Sequence, residues 1–358
     1  MEADSPAEFL PPDSVLFMRD GALLAQRLNL DTMQMQEDPV PVAARVVVGN
    51  FSSVAVSGSA SGAIAYRAHS GERQSFWVDR SGRQLGMLGG PDGAQPVALH
   101  LSRDDRQLAL QRTVNGNVDI WVIDVERGAA RRFTFEPVRD RTPVWSPDGR
   151  RMAFASERTG VFDIYVRPVD APGTETLLVE SSDAKLAYDW SPDGRFLLYG
   201  VQDPKTANDL WVVPLAGDHK PLPVARTPFA EQGGRFSPDG RWIAYHSNES
   251  GRNEVYVQPF PGPGSRVQMS TAGGQAPQWR RDGRELTYLA PGNRVMAVPA
   301  ASTGATIRLG VPANLFTAPP GGLVMSGDGQ RFLVSKVTTE AAPITLLLNW
   351  AGLRTRTN

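Results

Sequence analysis

The chain has 358 residues, 41% of them hydrophobic and 21% charged, with a formal net charge of −1. That balance suits a soluble globular chain able to bury a core, and it supplies no global field to draw nucleic acid or an acidic membrane surface. There are no cysteines, which excludes disulfides, thiolate metal sites and cysteine nucleophiles.

The opening MEADSPAEF is acidic and lacks a basic region followed by an apolar core, so no signal peptide is expected here. No apolar run approaches the ~18 residues needed to cross a bilayer. An export signal or membrane anchor would have to lie upstream.

Taken in order, the chain starts with a predicted hairpin, SVLFM from Ser14 and ALLAQ from Ala22. Gly62 with Tyr66 marks a short second unit, followed by SFWV from Ser75. From there one phrase repeats. A Ser-Pro-Asp-Gly-type turn is followed by a short apolar strand, a polar loop and a third strand. The phrase is clearest over 236–260, FSPDGRWIAYHSNESGRNEVYVQPF. Ser, Pro, Asp and Gly suit the successive positions of a type I turn.

The turn glycine recurs at Gly149, Gly194, Gly240, Gly283 and Gly329, at spacings of 45, 46, 43 and 46. Asp148, Asp193, Asp239, Asp282 and Asp328 precede these glycines, with Asp104-Asp105 in the same place one unit earlier. Five residues beyond each glycine stands an apolar strand residue: Phe154, Tyr199, Tyr245, Tyr288 and Val334. The third strands read DIWV from Asp119, DIYV from Asp163, DLWV from Asp209 and EVYV from Glu254, with weaker copies at RVMAV from Arg294 and PITLLL from Pro343.

A period of about 40–45 residues with several short strands per unit is the signature of a β-propeller. The expected fold is all-β, one domain over 1–358. Its four-stranded antiparallel blades begin near 8, 51, 97, 142, 187, 233, 276 and 322. Eight blades is the expected count, with seven as the alternative. Trp145, Trp190, Phe236 and Trp279 end the innermost strands and are expected to wedge between blades, where each large aromatic buries roughly 150–250 Å². The last unit offers strands near 322–326, 331–336 and 343–349. Either residues 1–10 supply its missing strand or that strand is not part of this chain.

No catalytic constellation stands out: no nucleophile elbow, glycine-rich phosphate loop, zinc-protease helix motif or kinase signature. His69, His100, His219 and His246 fall at unrelated unit positions and read as surface or turn residues. The repeated aspartates read as turn residues that bond nearby backbone N–H groups. Ser156-Glu157-Arg158 and Asn248-Glu249-Ser250 read as solvated loops.

Departures from the repeat are more informative. Just before the inner aromatic the units carry His100, Val144, Asp189, Arg235, Gln278 and Val324. His100, Asp189, Arg235 and Gln278 are therefore the candidate binding residues at the mouth of a central channel. The alternative is ordinary solvation of a wet channel. No catalytic residue, cofactor or metal is expected.

The Ser-Pro-Asp-Gly repeats resemble those of TolB-type propellers and of the propellers of dipeptidyl-peptidase-like serine peptidases. The segments 15–28, 208–221, 236–264, 279–299 and 343–350 are also similar to the C-terminal propeller of bacterial receptor-type serine/threonine protein kinases. That resemblance implies an extracytoplasmic, periplasmic sensor, monomeric, that binds a small ligand or an envelope protein. No nucleic acid is implied, and a membrane only through a segment outside this chain. The kinase's catalytic residues match no position here. A TolB-like periplasmic scaffold, and the propeller of a peptidase without its hydrolase domain, are the other readings.

Overall fold

The computed structural model describes residues 7–19, 22–44, 46, 55–68, 71–114, 116–262, 264–303, 306–339, 342–348 and 350. Short strands joined by tight turns pair with their chain neighbours, and eight antiparallel sheets result among the described residues. Five are built in chain order from the innermost strand outward: blade 1 (97–132), blade 2 (140–179), blade 3 (185–225), blade 4 (231–268) and blade 5 (275–317).

Blade 6 is composite. Leu323–Met325 and Arg331–Val337 form its inner half, and Arg73–Asp79 and Gln84–Asp92 its outer half. Arg331–Val337 pairs along its whole length with Arg73–Asp79, with Leu333 opposite Trp77 and Val334 opposite Phe76. The ring is thus closed by residues 73–92; of the stretch 1–10 expected to close it, Glu8–Leu10 pairs instead with Ser14–Arg19, and residues 1–6 lie outside the described residues. Ile344–Leu347, expected as the next strand of the last blade, pairs instead with Ile64–Arg67. Its place beside Arg331–Val337 is already taken.

The eight expected units are present as eight sheets, but six of them surround the channel. The other two, 8–43 and the sheet of Val56–Gly58, Ile64–Arg67 and Ile344–Leu347, share a separate core of Leu10, Leu16, Met18, Leu23, Ala25, Val46, Ile64 and Trp350. Both chain segments leave the ring side by side. The amide of Thr338 donates to the Glu72 carbonyl at 2.9 Å, and the amide of Glu72 to the Thr339 hydroxyl at 3.0 Å.

Apolar packing between consecutive blades closes the cycle. Phe133 meets Trp145 and Phe154 between blades 1 and 2, Phe316 meets Phe332 between blades 5 and 6, and Leu333 meets Leu108 and Leu110 between blades 6 and 1. Trp145, Trp190 and Phe236 are buried wedges as expected, whereas Trp279 is only half-buried. Arg151 lies over the Trp190 ring, 4.9 Å from its centroid.

The repeated turns are as read. In blade 2 the Ser146 hydroxyl donates to Asp148 at 2.6 Å, and Asp148 also accepts the Arg150 amide at 3.0 Å. The glycine is required by the backbone: Gly149 and its counterparts sit near φ +70°, where a Cβ is strained. Blade 1 places Asp105 there at φ 59°, one of the few residue types that tolerate it.

At the far end of the strands a second repeat emerges. In blades 1 to 4 the first acidic residue of the third strand, Asp119, Asp163, Asp209 and Glu254, is buried. Each clamps the loop leading onward. Asp163 takes Thr159 Oγ1 at 2.5 Å and forms a fully buried pair with Lys185 of blade 3 at 2.6 Å. Glu254 accepts from Ser270 and, at 2.9 Å, from the Gly273 amide.

The loops expected to be solvated are engaged too. Glu157 pairs with Arg139 at 2.5 Å, and Arg158 lies over the Phe154 and Tyr165 rings, with Glu175 at 3.6 Å. Glu249 pairs with Arg266.

Replacing Trp190 by Ala is expected to cost about 3–5 kcal/mol, the range for a buried aromatic, and Trp279→Ala distinctly less. Urea unfolding of both variants checks this; equal costs, or a near-neutral Trp190→Ala, would contradict the wedge packing.

Candidate ligand-binding site at the channel mouth

The six innermost strands converge on a cavity of about 440 Å³ at the turn face of the ring. Every blade contributes its residue at the channel position or that residue's immediate neighbours. The strands are not regular there. A bulge precedes the channel residue in five of them: before His100, Val144, Asp189, Arg235 and Gln278. Ala98, Thr142, Gly233 and Ala276 lie within these bulges at φ values from 48° to 65°. A bulge re-aims the side chain that follows it. Each is accommodated opposite the apolar residue of the second strand, such as Tyr245 facing Gly233-Gly234.

The structure brings His100, Asp189, Arg235 and Gln278 into one cavity. Three of them use their polar atoms on the next blade. His100 Nδ1 accepts the Trp145 amide at 3.5 Å, Asp189 Oδ2 the Phe236 amide at 2.7 Å, and Gln278 Oε1 the Met325 amide at 2.8 Å. The second Asp189 oxygen accepts the Trp190 amide at 2.9 Å, and Gln278 Nε2 donates to the Leu323 carbonyl at 3.2 Å. Blades 1, 3 and 5 thus reach forward to blades 2, 4 and 6. Val144, Arg235 and Val324, at the same position of the even blades, carry no acceptor. Arg235 is the exception within the four candidates: its Nη1 is buried with no hydrogen-bond partner among the described residues.

The sequence reading missed His246. It stands on the second strand of blade 4, yet its ring lines the cavity through the gap left by Gly233, whose missing Cβ would lie 3.0 Å from the imidazole. The Gly233-Gly234 pair was the available signal. Burial pushes the His246 pKa down to about 4. Burial also lowers that of His100, with Asp189 opposing and Arg235 reinforcing the shift. Tyr188, beside Arg235, is pushed up to about 12 by burial. His219 is exposed, its Nδ1 2.8 Å from the Pro214 carbonyl, and His69 lies outside the described residues.

His100 Nε2 faces Asp189 Oδ1 at 3.9 Å. Since Nδ1 accepts an amide N–H, the neutral ring carries its proton on Nε2, on the aspartate side. Both Asp189 oxygens already hold amides. The aspartate is thus tied into the inner strands of blades 3 and 4 while it faces the imidazole. Among the described residues no group of three or more His, Cys, Asp and Glu could hold a metal ion.

A ring of six antiparallel blades around a lined channel defines a β-propeller. Residues 58–210 match the family model described as the TolB beta propeller domain, PD40. The chain is 30% identical over 161 residues to an uncharacterized protein of Agrobacterium fabrum, covering 40% of this chain and 53% of that one. It is 24% identical over 183 residues to the Tol-Pal system protein TolB of Wolinella succinogenes, covering 46% and 42% respectively. The chain therefore spans about half the length, or less, of these curated relatives. A solved structure assigned as TolB from Agrobacterium tumefaciens superposes with a TM-score of 0.59 at 17% identity, over 76% of this chain and 99% of that one. Together these support a TolB-like β-propeller domain, the solved structure speaking to fold alone.

The buried groups give a pH expectation. His246 has its pKa depressed from 6.5 to about 4. Its neutral burial is fully favourable above 6.5 and is lost as pH falls through 4, up to about 3 kcal/mol from a shift of this size. Asp140 is raised from 3.8 to about 6, mainly by burial. It acts oppositely in the same window, its penalty being relieved as pH falls. Asp140→Asn is therefore expected to steepen the loss of stability between pH 6.5 and 4, and His246→Phe to reverse its sign. Urea midpoints measured across that range check this; unchanged profiles in both variants would refute it.

Proposed function

We propose that this propeller is a non-catalytic recognition module that binds its ligand or partner at the channel mouth. The carrying observation is the cavity of about 440 Å³ into which all six blades present their inner-strand residues, a volume in the range of small-molecule sites. The His100–Asp189 pair supports binding over catalysis, since Nδ1 of the one and both oxygens of the other already accept backbone amides that hold neighbouring strands together.

Two settings fit such a module. The motif resemblance to receptor-type kinases suggests a periplasmic sensor that reports to an attached kinase. The similarity to the Wolinella Tol-Pal protein favours a periplasmic scaffold acting through protein contacts. In both settings the partner is a small ligand or an envelope protein, and the propeller acts as a monomer.

Obstructing the mouth tests the common reading. Val324→Trp places a large ring at a channel position of blade 6. Thermal shifts against sugars, peptides and envelope fragments are expected for the native chain, because a ligand selective for the folded state raises its stability. The same ligands are expected to have no effect on Val324→Trp. Shifts that persist in that variant would place binding elsewhere and overturn the proposal.

A further inference from the structure

Of the charged groups lining the mouth, most are already committed. Arg281 Nη2 pairs with Asp105 at 3.0 Å, and Asp105 also accepts the Gly327 amide at 3.0 Å. Asp189 holds two amides and faces His100. Arg103 rests on the Pro192 carbonyl at 3.5 Å. Three arginines against two aspartates leave one positive charge, since both lining histidines are held neutral by burial at pH 7. Arg103 and Arg235 are the two without a carboxylate partner among the described residues, and of the two it is Arg235 whose Nη1 lacks an acceptor. No carboxylate lies within ion-pair distance of its guanidinium among the described residues, and its Nη1 is buried without a partner.

A buried guanidinium N–H left unpaired is costly, and an anionic acceptor relieves the cost with a charge-assisted bond. The walls around it are largely apolar: Leu99, Trp145, Trp190, Phe236, Trp279 and Val324. The cavity therefore offers one cationic anchor inside an aromatic and aliphatic enclosure.

We infer that the channel mouth is a site for a small organic monocarboxylate, its carboxylate on Arg235 and its apolar body against the aromatic ring of inner-strand residues. This rests on the recognition reading above and assigns a chemical class to it. A second negative charge is disfavoured by Asp189 and Asp105. A neutral polar ligand leaves the Arg235 charge uncompensated.

The probes are benzoate, its uncharged isostere benzamide, and inorganic phosphate, followed by intrinsic tryptophan fluorescence, since Trp145, Trp190 and Trp279 line the site. Saturable quenching by benzoate is expected, with benzamide at least about tenfold weaker, the scale of one charge-assisted bond. Arg235→Gln is expected to lose benzoate binding by the same factor while keeping the native circular dichroism and melting temperature. Arg281→Gln, already paired in the native chain, controls for loss of general positive charge and is expected to change benzoate affinity much less.

Equal binding of benzoate and benzamide, tighter binding of phosphate than of benzoate, or undiminished benzoate binding by Arg235→Gln would each overturn the inference. Neutral ligands that bind the native chain and are blocked by Val324→Trp would leave the broader reading standing while this one fell, so the two failures are distinguishable.

Discussion

The pairing of Arg331–Val337 with Arg73–Asp79 is the constraint on which the rest depends. No blade can cover both its faces alone; each needs two neighbours, and the first and last need each other. A composite blade meets that need with backbone hydrogen bonds between distant parts of the chain. Once it forms, Leu333 and Trp77 lie against Leu108 and Leu110, and the last apolar interface is complete. It also fixes where the chain enters and leaves the ring, which brings the flanking strands Ile64–Arg67 and Ile344–Leu347 together as a pair.

The channel shows the same economy of neighbour-to-neighbour contact on a smaller scale. A bulge lifts five of the six channel residues out of regular register, and acceptor side chains in alternate blades then take an amide from the blade ahead. Polarity at the mouth is therefore mostly architectural. His100, Asp189 and Gln278 lock adjacent inner strands together, and buried polar groups satisfied in this way stiffen the structure they line. Arg235 stands apart because guanidinium has donors only and its Nη1 meets no acceptor among the described residues.

Much of the architecture was legible in the residues. The strands, their period, the turn chemistry of Ser146-Pro147-Asp148-Gly149 and the wedge role of Trp190 follow from local patterns. Ring membership was less visible, although the signal existed. Only six units carry a full turn with a channel-facing residue ahead of it, beginning with Ser102; the two earlier units lack both. Closure could not be read, because SFWV at Ser75 looks the same whether it pairs within its own unit or with Arg331–Val337. The candidate site was half legible. Position relative to the repeat pointed to His100, Asp189, Arg235 and Gln278, but which of their polar atoms are engaged depends on bulges that leave no mark in the residue pattern. His246 entered the channel through a gap made by glycine, on a strand whose pattern predicts core.

The most direct measurement exploits the absence of native cysteine. Val337 stands opposite Arg73 in the closing pair, a cross-strand separation that a disulfide can span. In the Arg73→Cys/Val337→Cys variant, mild oxidation is expected to give a monomer crosslinked within the chain that melts above its own reduced form. Thiols that remain free under those conditions, or that link only between chains, would contradict closure of the ring by these two strands.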